Sequence, residues 1–433
     1  MIKKNAIIVL LVVFGTFSFL LNYSIEKNFD RCNVFDQNDL MFHADAFMKL
    51  KCFSNGGKAS PWKSWKVIHP NLMYFFHFPI RLTAKIIGYF ADADEAFKSR
   101  IRRILALLVV PAFSALNTIA ITLLFYRLNF TFFQVCSLTT LSIFSFTQIV
   151  FGSMPESFAL NGFFITLCFL LSINLLKSKR LNWVIWTIIG AFGMGITITN
   201  IVILIIIFSI SSYSISKDIS SSIKKTLLLI CLATTFTFSF SIGLGFLMGT
   251  KPSAADIKGP VYFTEQFIRK DFIKYGLKFP LAVVSSITPG SIKTREITWI
   301  KKPRGKYRHQ IQIAYEDNNR IRFILVIIIT IMITSIGAIN LLKSDLIFKT
   351  LAIASLLTLT YNWLFHAFWG NEYFLYSQHW ICALIILISG IFLTKRPFLL
   401  PITSVFSVFL IYIIYNNFVT LNDIFHFFRN YSV

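Results

Sequence analysis

Residues 71–90 read NLMYFFHFPIRLTAKIIGYF, and the fold turns on whether 72–90 crosses a bilayer or lies along its surface. The run is long enough to span a hydrocarbon core of about 30 Å. Pro79, Arg81 and Lys85 interrupt it, and two cations at mid-depth are costly, whereas an apolar face with a cationic rim suits the interface. The expectation is a helix that lies flat. That choice sets the direction of every later apolar run. With 72–90 not crossing, Lys3, Lys4 and the short connections carrying Arg127, Lys177/Lys179/Arg180, Lys217/Lys224/Lys225, Lys343/Lys349 and Lys395/Arg396 fall on one side. These are thirteen basic residues, and the short connections opposite hold none. Lys and Arg in short loops orient a membrane protein, so this side and the N-terminus are read as cytoplasmic.

Working outward, the apolar runs are 6–23, 104–126, 131–150, 158–176, a pair within 182–213 broken near Gly190, Gly193 and Gly195, then 226–248, 323–342, 346–366, 380–394 and 398–416. The reading is an all-α polytopic integral membrane protein with about 11 transmembrane helices. Composition agrees: of 433 residues 55% are hydrophobic and 48 are Phe, against 19 Gly and 12 Pro, which excludes disorder, collagen and an ordinary soluble domain. Two long segments, 24–103 and 250–322, face outward. The second carries 15 Lys+Arg against 6 Asp+Glu, and long loops translocate largely regardless of charge. Three regions follow: a membrane module 1–250 including outer loop 24–103, a basic outer loop 251–322, and C-terminal helices 323–433. Within the basic loop, residues 262–279 suit a surface helix.

The acids in short connections are few: Glu156 and Glu372 outside, Asp218 and Asp345 inside. Glu156 lies in SMPES (Ser153–Ser157), where a carboxylate in the first turn of a helix is also what the helix dipole favours. Glu372 belongs to WGNEYFLYSQHW (Trp369–Trp380), with Tyr376, Gln378 and His379 beside it. The first outer loop opens with FDQNDLMFHADAF (35–47); if helical, Asp39 and His43 share a face and Asp45 is rotated away. His69-Pro70-Asn71 opens the 72–90 helix. Three outward segments, and 369–380 as a fourth, thus bring carboxylates and imidazoles to one interface, which is how an active site reads.

The order Asp39, Phe42, Ala46, Gly56-Gly57, His69-Pro70, Leu72 and Pro79 resembles the opening of the polytopic GT-C glycosyltransferases, with Asn71 in place of a second proline. Arg100/Arg102/Arg103 before the second span, the acid of SMPES and the Gly193–Asn200 stretch are similar to features of that superfamily, although Asn200 stands where a Lys or Arg is frequent. The likeness covers roughly the first 250 residues. It implies transfer of a sugar, glucose-like most readily, from a polyprenyl-phosphate-linked sugar donor to a glycan acceptor such as a lipid-linked O-antigen, on the outer face of a bacterial inner membrane. Size and basic outer loops are similar to those of serotype-converting glucosyltransferases. In this reading Asp39 is the base and Asp45 its reserve. His69 and Glu156 position the sugar or a divalent cation. His43, Arg100, Arg103, Glu372, Tyr376 and His379 bind substrate, the arginines opposite the departing phosphate or merely anchoring headgroups.

Cys32 and Cys52 share the first outer loop and are the pair available for a disulfide. No P-loop, dinucleotide fingerprint or CxxC occurs, and a nucleic-acid partner is not expected for a loop facing away from the cytoplasm. Competing readings are an O-antigen polymerase or ligase, and a lipid-linked glycan transporter or flippase; the absence of a clear internal repeat weighs against the last.

Overall fold

The computed structural model describes residues 4–36, 40–42, 44–55, 69–247, 272–296, 309–314, 320–369 and 373–430. Helices dominate. In chain order they are α1 (Lys4–Arg31), α2 (Ala46–Asn55), α3 (Leu72–Phe90), α4 (Glu95–Arg127), α5 (Phe132–Phe144), α6 (Phe146–Phe151), α7 (Phe158–Ser178), α8 (Trp183–Ile196), α9 (Asn200–Ser216) and α10 (Ile219–Leu247). Short α11 (Phe272–Gly276) and α12 (Phe279–Ile287) precede a hairpin of β1 (Ser291–Glu296) and β2 (His309–Ala314). Then come α13 (Arg320–Leu342), α14 (Leu346–Phe368), a 3-10 turn (Phe374–His379), α15 (Ile381–Ser389) and α16 (Arg396–Asn430).

Among the described residues seven helices, α1, α4, α7, α10, α13, α14 and α16, are long and apolar enough to cross a membrane, and four shorter apolar helices accompany them. These coincide with the apolar runs of the sequence, and the chain is a multi-pass membrane protein. The pair within 182–213 is the expected broken pair: α8 stops where Thr197 turns extended, and α9 restarts at Asn200. The basic connections gather at one end of the bundle. Lys177 donates to the Arg127 carbonyl, Asn129, Lys177, Asp345 and Leu393 line one depression, and Thr350 of α14 donates to Ser214 of α9 at 2.8 Å.

Helix α3 adds no crossing, but neither does it lie flat against its neighbour. It runs antiparallel along the outer half of α4: Phe76 meets Phe113 at 5.6 Å between ring centroids, and Gly88 lies against the Lys98 side chain. A narrow stripe of Phe76, Ile80 and Ala84 is buried against the bundle, whereas Phe78, Leu82 and Ile86 are exposed. The packing of one stripe against a long helix overrides the flat placement that Arg81 and Lys85 suggested.

The two long loops interlock. Phe42 N–H donates to the Ile311 carbonyl and Ile311 N–H to the Leu40 carbonyl, both at 2.8 Å, so Met41 forms an isolated parallel bridge to β2 of the hairpin. That bridge, and a left-handed Phe42 (φ 50°), rule out the conditional helical reading of 35–47 at Met41–Phe42; a helix starts at Ala46. Asp39 and His43 themselves lie outside the described residues, as do Glu372 and 262–271 of the proposed surface helix. Of that expected surface helix, the described end 272–276 is helical with Phe272 and Ile273 exposed; the next helix, Phe279–Ile287, is buried in the bundle. Asn417 of α16 donates to the carbonyls of Ile287 and Phe144, both at 2.7 Å, and Asn416 donates to the Pro289 carbonyl at 2.9 Å. The Cys52 thiol is free and buried, so the disulfide with Cys32 is not formed; burial first of all pushes that thiol up to about 11.

One crossing depends on glycine. A Cβ on Gly337 of α13 would overlap the Leu387 carbonyl oxygen, and one on Gly390 would overlap the Gly337 carbonyl oxygen, so α13 and α15 touch backbone to backbone, the close approach that small residues permit in membranes. Gly337→Leu is expected to remove the monodisperse folded species in size-exclusion chromatography, because carbonyl oxygens cannot yield as a side chain does. A variant with wild-type elution and melting temperature would refute this contact.

Candidate active site

Four segments meet at the end of the bundle opposite the basic connections. They are 44–49 at the start of α2, 69–71 before α3, the 152–157 turn between α6 and α7, and the 3-10 turn 374–379. Helix α8 has 14 residues, so Ile196 stands about 21 Å from the basic end, inside a hydrocarbon core of about 30 Å. The His69 Nδ1–H donates to the Ile196 carbonyl at 2.6 Å, and Asn71 N–H donates to the Gly195 carbonyl at 2.9 Å. The stretch His69–Asn71 is therefore recessed below the outer rim.

Glu156 is 3% exposed. Its Oε1 accepts from the Asp45 N–H at 2.8 Å and its Oε2 from the Ser157 N–H at 3.0 Å. Burial raises its carboxyl above the ordinary range, opposed by the positive charge of Lys49 and by these two N–H donors. Glu156 thus seats the first outer loop on the turn between α6 and α7. Asp45 and Lys49 stand one helical turn apart, and the Lys49 N–H donates to the Asp45 carbonyl at 3.0 Å. Lys49 is 3% exposed, a cation that the sequence reading passed over among the buried Leu50, Cys52 and Phe53. The signal was there: a lysine four residues after an acid, on a short helix with an apolar face.

Two neutral imidazoles complete the cluster, within electrostatic reach of each other. Burial, and then Lys49, hold the His69 ring well below its ordinary value. Burial alone lowers His379 to about 4. Asn161 Nδ2 donates to His379 Nε2 at 2.9 Å, while Asn200 Nδ2 donates to Asn161 Oδ1 at 2.7 Å and to the Gly193 carbonyl at 2.9 Å. These partners assign the tautomers. His69, donating from Nδ1, has its lone pair on Nε2; His379, accepting at Nε2, carries its proton on Nδ1. One ring thus presents an acceptor nitrogen and the other an N–H donor. Asn161, one polar residue in the apolar FALNGFF, was missed by sequence reasoning. Asn200, the departure from the resemblance noted above, orients His379 through Asn161 with its amide.

Tyr376 lies against the site, its ring stacked on His366 at 3.9 Å and edge-on to Phe158 at 6.0 Å. His366, buried on α14, was not among the expected residues. The arginines are elsewhere: Arg103 pairs with Asp30 at 2.6 Å, and Arg100 is exposed. The structure therefore brings together Asp45, His69, Glu156, Tyr376 and His379, and leaves Arg100 and Arg103 on the outer turns of α4. Among the described residues no group of three His, Cys, Asp or Glu side chains forms a metal site.

Below His69–Asn71 a groove of 400 Å³ opens sideways between α4, α7, α8 and α10, with Phe113, Phe163, Phe192, Phe236 and Phe240 in its walls. Asn71 is its polar edge, donating from Nδ2 to the Thr237 carbonyl at 3.1 Å, with Oδ1 buried and unpartnered among the described residues. No protein-family model matches the chain, and no curated protein matches it either.

Proposed function

We propose that the protein is a membrane glycosyltransferase that moves a sugar from a polyprenyl-phosphate carrier to a glycan acceptor at the outer face of the membrane. The observation that carries this reading is the joining of a recessed acid–imidazole cluster to an apolar, laterally open groove through His69–Asn71. A reactive headgroup at that junction keeps its chain in the groove without leaving the bilayer, a geometry suited to a lipid-linked substrate. Carboxylates in the first outer loop, Asp39 or Asp45, take the proton of the acceptor hydroxyl, and the lone pair of His69 Nε2 lies in the same cluster. Glu156 holds that loop in place, and the Nδ1–H of His379 donates to a substrate oxygen. Lys49 is the buried positive charge beside this cluster and stabilises the departing phosphate, a role expected earlier of Arg100 and Arg103.

The test is surface-glycan composition and linkage in cells expressing the wild type, Asp39→Asn, Asp45→Asn, Glu156→Gln or no protein, with membrane insertion checked in parallel. A sugar added by the wild type and lost in at least one inserted carboxylate variant supports the transferase. Loss of a polymer ladder instead of a side-chain sugar would hand the function to a polymerase. Unchanged glycans in all inserted variants, with a change in the null, would remove these carboxylates from the chemistry.

A further inference from the structure

Below the site, the Ser114 hydroxyl of α4 gathers the bonds of two other helices. Asn22 of α1 donates to it from Nδ2 at 2.8 Å, and Gln148 of α6 from Nε2 at 2.5 Å, which takes up both lone pairs of a hydroxyl oxygen. The far end of each donor leads to one turn of the site. Asn22 Oδ1 accepts from the Ser153 hydroxyl at 2.8 Å, three residues before Glu156. Gln148 Oε1 accepts from Gln378 Nε2 at 3.1 Å, one residue before His379. Backbone carbonyls fix the direction of the chain: Asn22 Nδ2 also donates to that of Ser18 at 2.9 Å and Gln378 Nε2 to that of Thr147 at 3.1 Å, so neither amide can be turned over.

These side chains are buried, and the packing around them is close. A Cβ on Gly152 would overlap Asn22 Oδ1 and Ser114 Oγ, and one on Gly162 would overlap Gln378 Oε1. Ser114 stands thirteen residues from Arg127 along α4, about 20 Å at the helical rise, the same depth as Ile196 beneath His69. Apolar side chains would hold these segments together in hydrocarbon as well. Hydrogen bonds add direction, and a chain of them with its donors assigned permits one relative placement of the two turns. The turns carry the groups whose spacing matters: Glu156, which seats Asp45, and His379 with its Nδ1–H.

We infer that Asn22, Ser114 and Gln148 are positioning residues of the proposed reaction: they tie the 152–157 and 374–379 turns to one point and so set the spacing of Asp45 and Glu156 from His379. The inference rests on the transferase reading for the chemistry it serves, and on the hydrogen bonds alone for the tie. A displacement of about 1 Å between reacting groups costs about a hundredfold in rate, so the effect falls on turnover per folded protein and not on substrate capture.

The experiment places the full chain in lipid nanodiscs and follows deuterium exchange together with transfer from polyprenyl-phosphate glucose to lipid-linked glycan taken from cells without the protein. Ser114→Ala removes the shared acceptor. It is expected to speed exchange of 152–157 and 374–379 together, about tenfold, with α13 unchanged, and to lower kcat per folded protein about tenfold to a hundredfold with KM within about twofold. Ser153→Ala and Gln378→Leu each cut one tie and are expected to loosen their own turn only; they decide the matter if Ser114→Ala does not fold. Added to Ser114→Ala, Gln378→Leu is expected to bring little further loss of turnover. Loosening of one turn alone in Ser114→Ala, of neither, or of the whole bundle overturns the tie. Both turns loosening while kcat holds, or while only KM rises, overturns the positioning role. A wild type that transfers no sugar removes the transferase reading, and the exchange result still decides the tie.

Discussion

Glu156→Leu is expected to cost about 3–5 kcal/mol of stability, because two buried N–H donors lose their acceptor at once. The replacement strips the acceptor from the Asp45 and Ser157 N–H groups and removes the carboxylate on which the buried Lys49 acts electrostatically. Each orphaned buried donor contributes about 1–3 kcal/mol to such a loss. Glu156→Gln keeps one carbonyl oxygen and is expected to lose less, with the smaller drop reflecting charge and the larger one the whole anchor. Thermal unfolding of purified protein in lipid nanodiscs measures both. If Glu156→Leu melted within a degree of the wild type, the first outer loop would not be seated on this residue, and the candidate site built around it would fall.

Acid is expected to weaken the protein between pH 6.5 and 4. The His379 ring titrates at about 4 in the folded chain, against 6.5 unfolded, so within that window the unfolded chain binds a proton that the folded ring refuses. Stability from this residue is complete above pH 6.5 and falls as the pH drops toward 4, by up to about 3 kcal/mol. His69, lowered by burial and by Lys49, acts in the same direction. Glu156 opposes them: its raised carboxyl stabilises below the unfolded value of 4.5 and loses that contribution as pH rises through the folded value. His379→Gln is therefore expected to flatten the melting-temperature profile between pH 4 and 6.5, and Glu156→Gln to steepen it. A wild-type profile that is level over this range would mean that the two rings are hydrated, and the recessed site with them.

The membrane class was legible because it rests on local quantities. Runs of apolar residues long enough to cross hydrocarbon, and lysines and arginines confined to alternate short connections, need no partner to be read. The break at Gly193–Asn200 was visible for the same reason, as backbone signals act within a few residues. Part of the candidate site was visible too: Asp45, His69, Glu156, Tyr376 and His379 are polar or titratable groups at the ends of apolar runs, and such groups at membrane ends are few.

What only the tertiary structure decided is how segments far apart in sequence pair. Met41 is held in a bridge because Ile311, some 270 positions away, offers it a backbone edge, and no periodicity within 35–47 reports that. Helix α3 stands along α4 because ring packing between Phe76 and Phe113 sets its direction, against the local preference of Arg81 and Lys85. Lys49 became the charge of the site through burial beside Glu156 and His69, and Asn200 became a second-rank orienting amide through Asn161. Composition along the chain determines which solvent each segment prefers; hydrogen bonds and packing between segments determine which side chains meet, and that information is carried by pairs of residues rather than by either one.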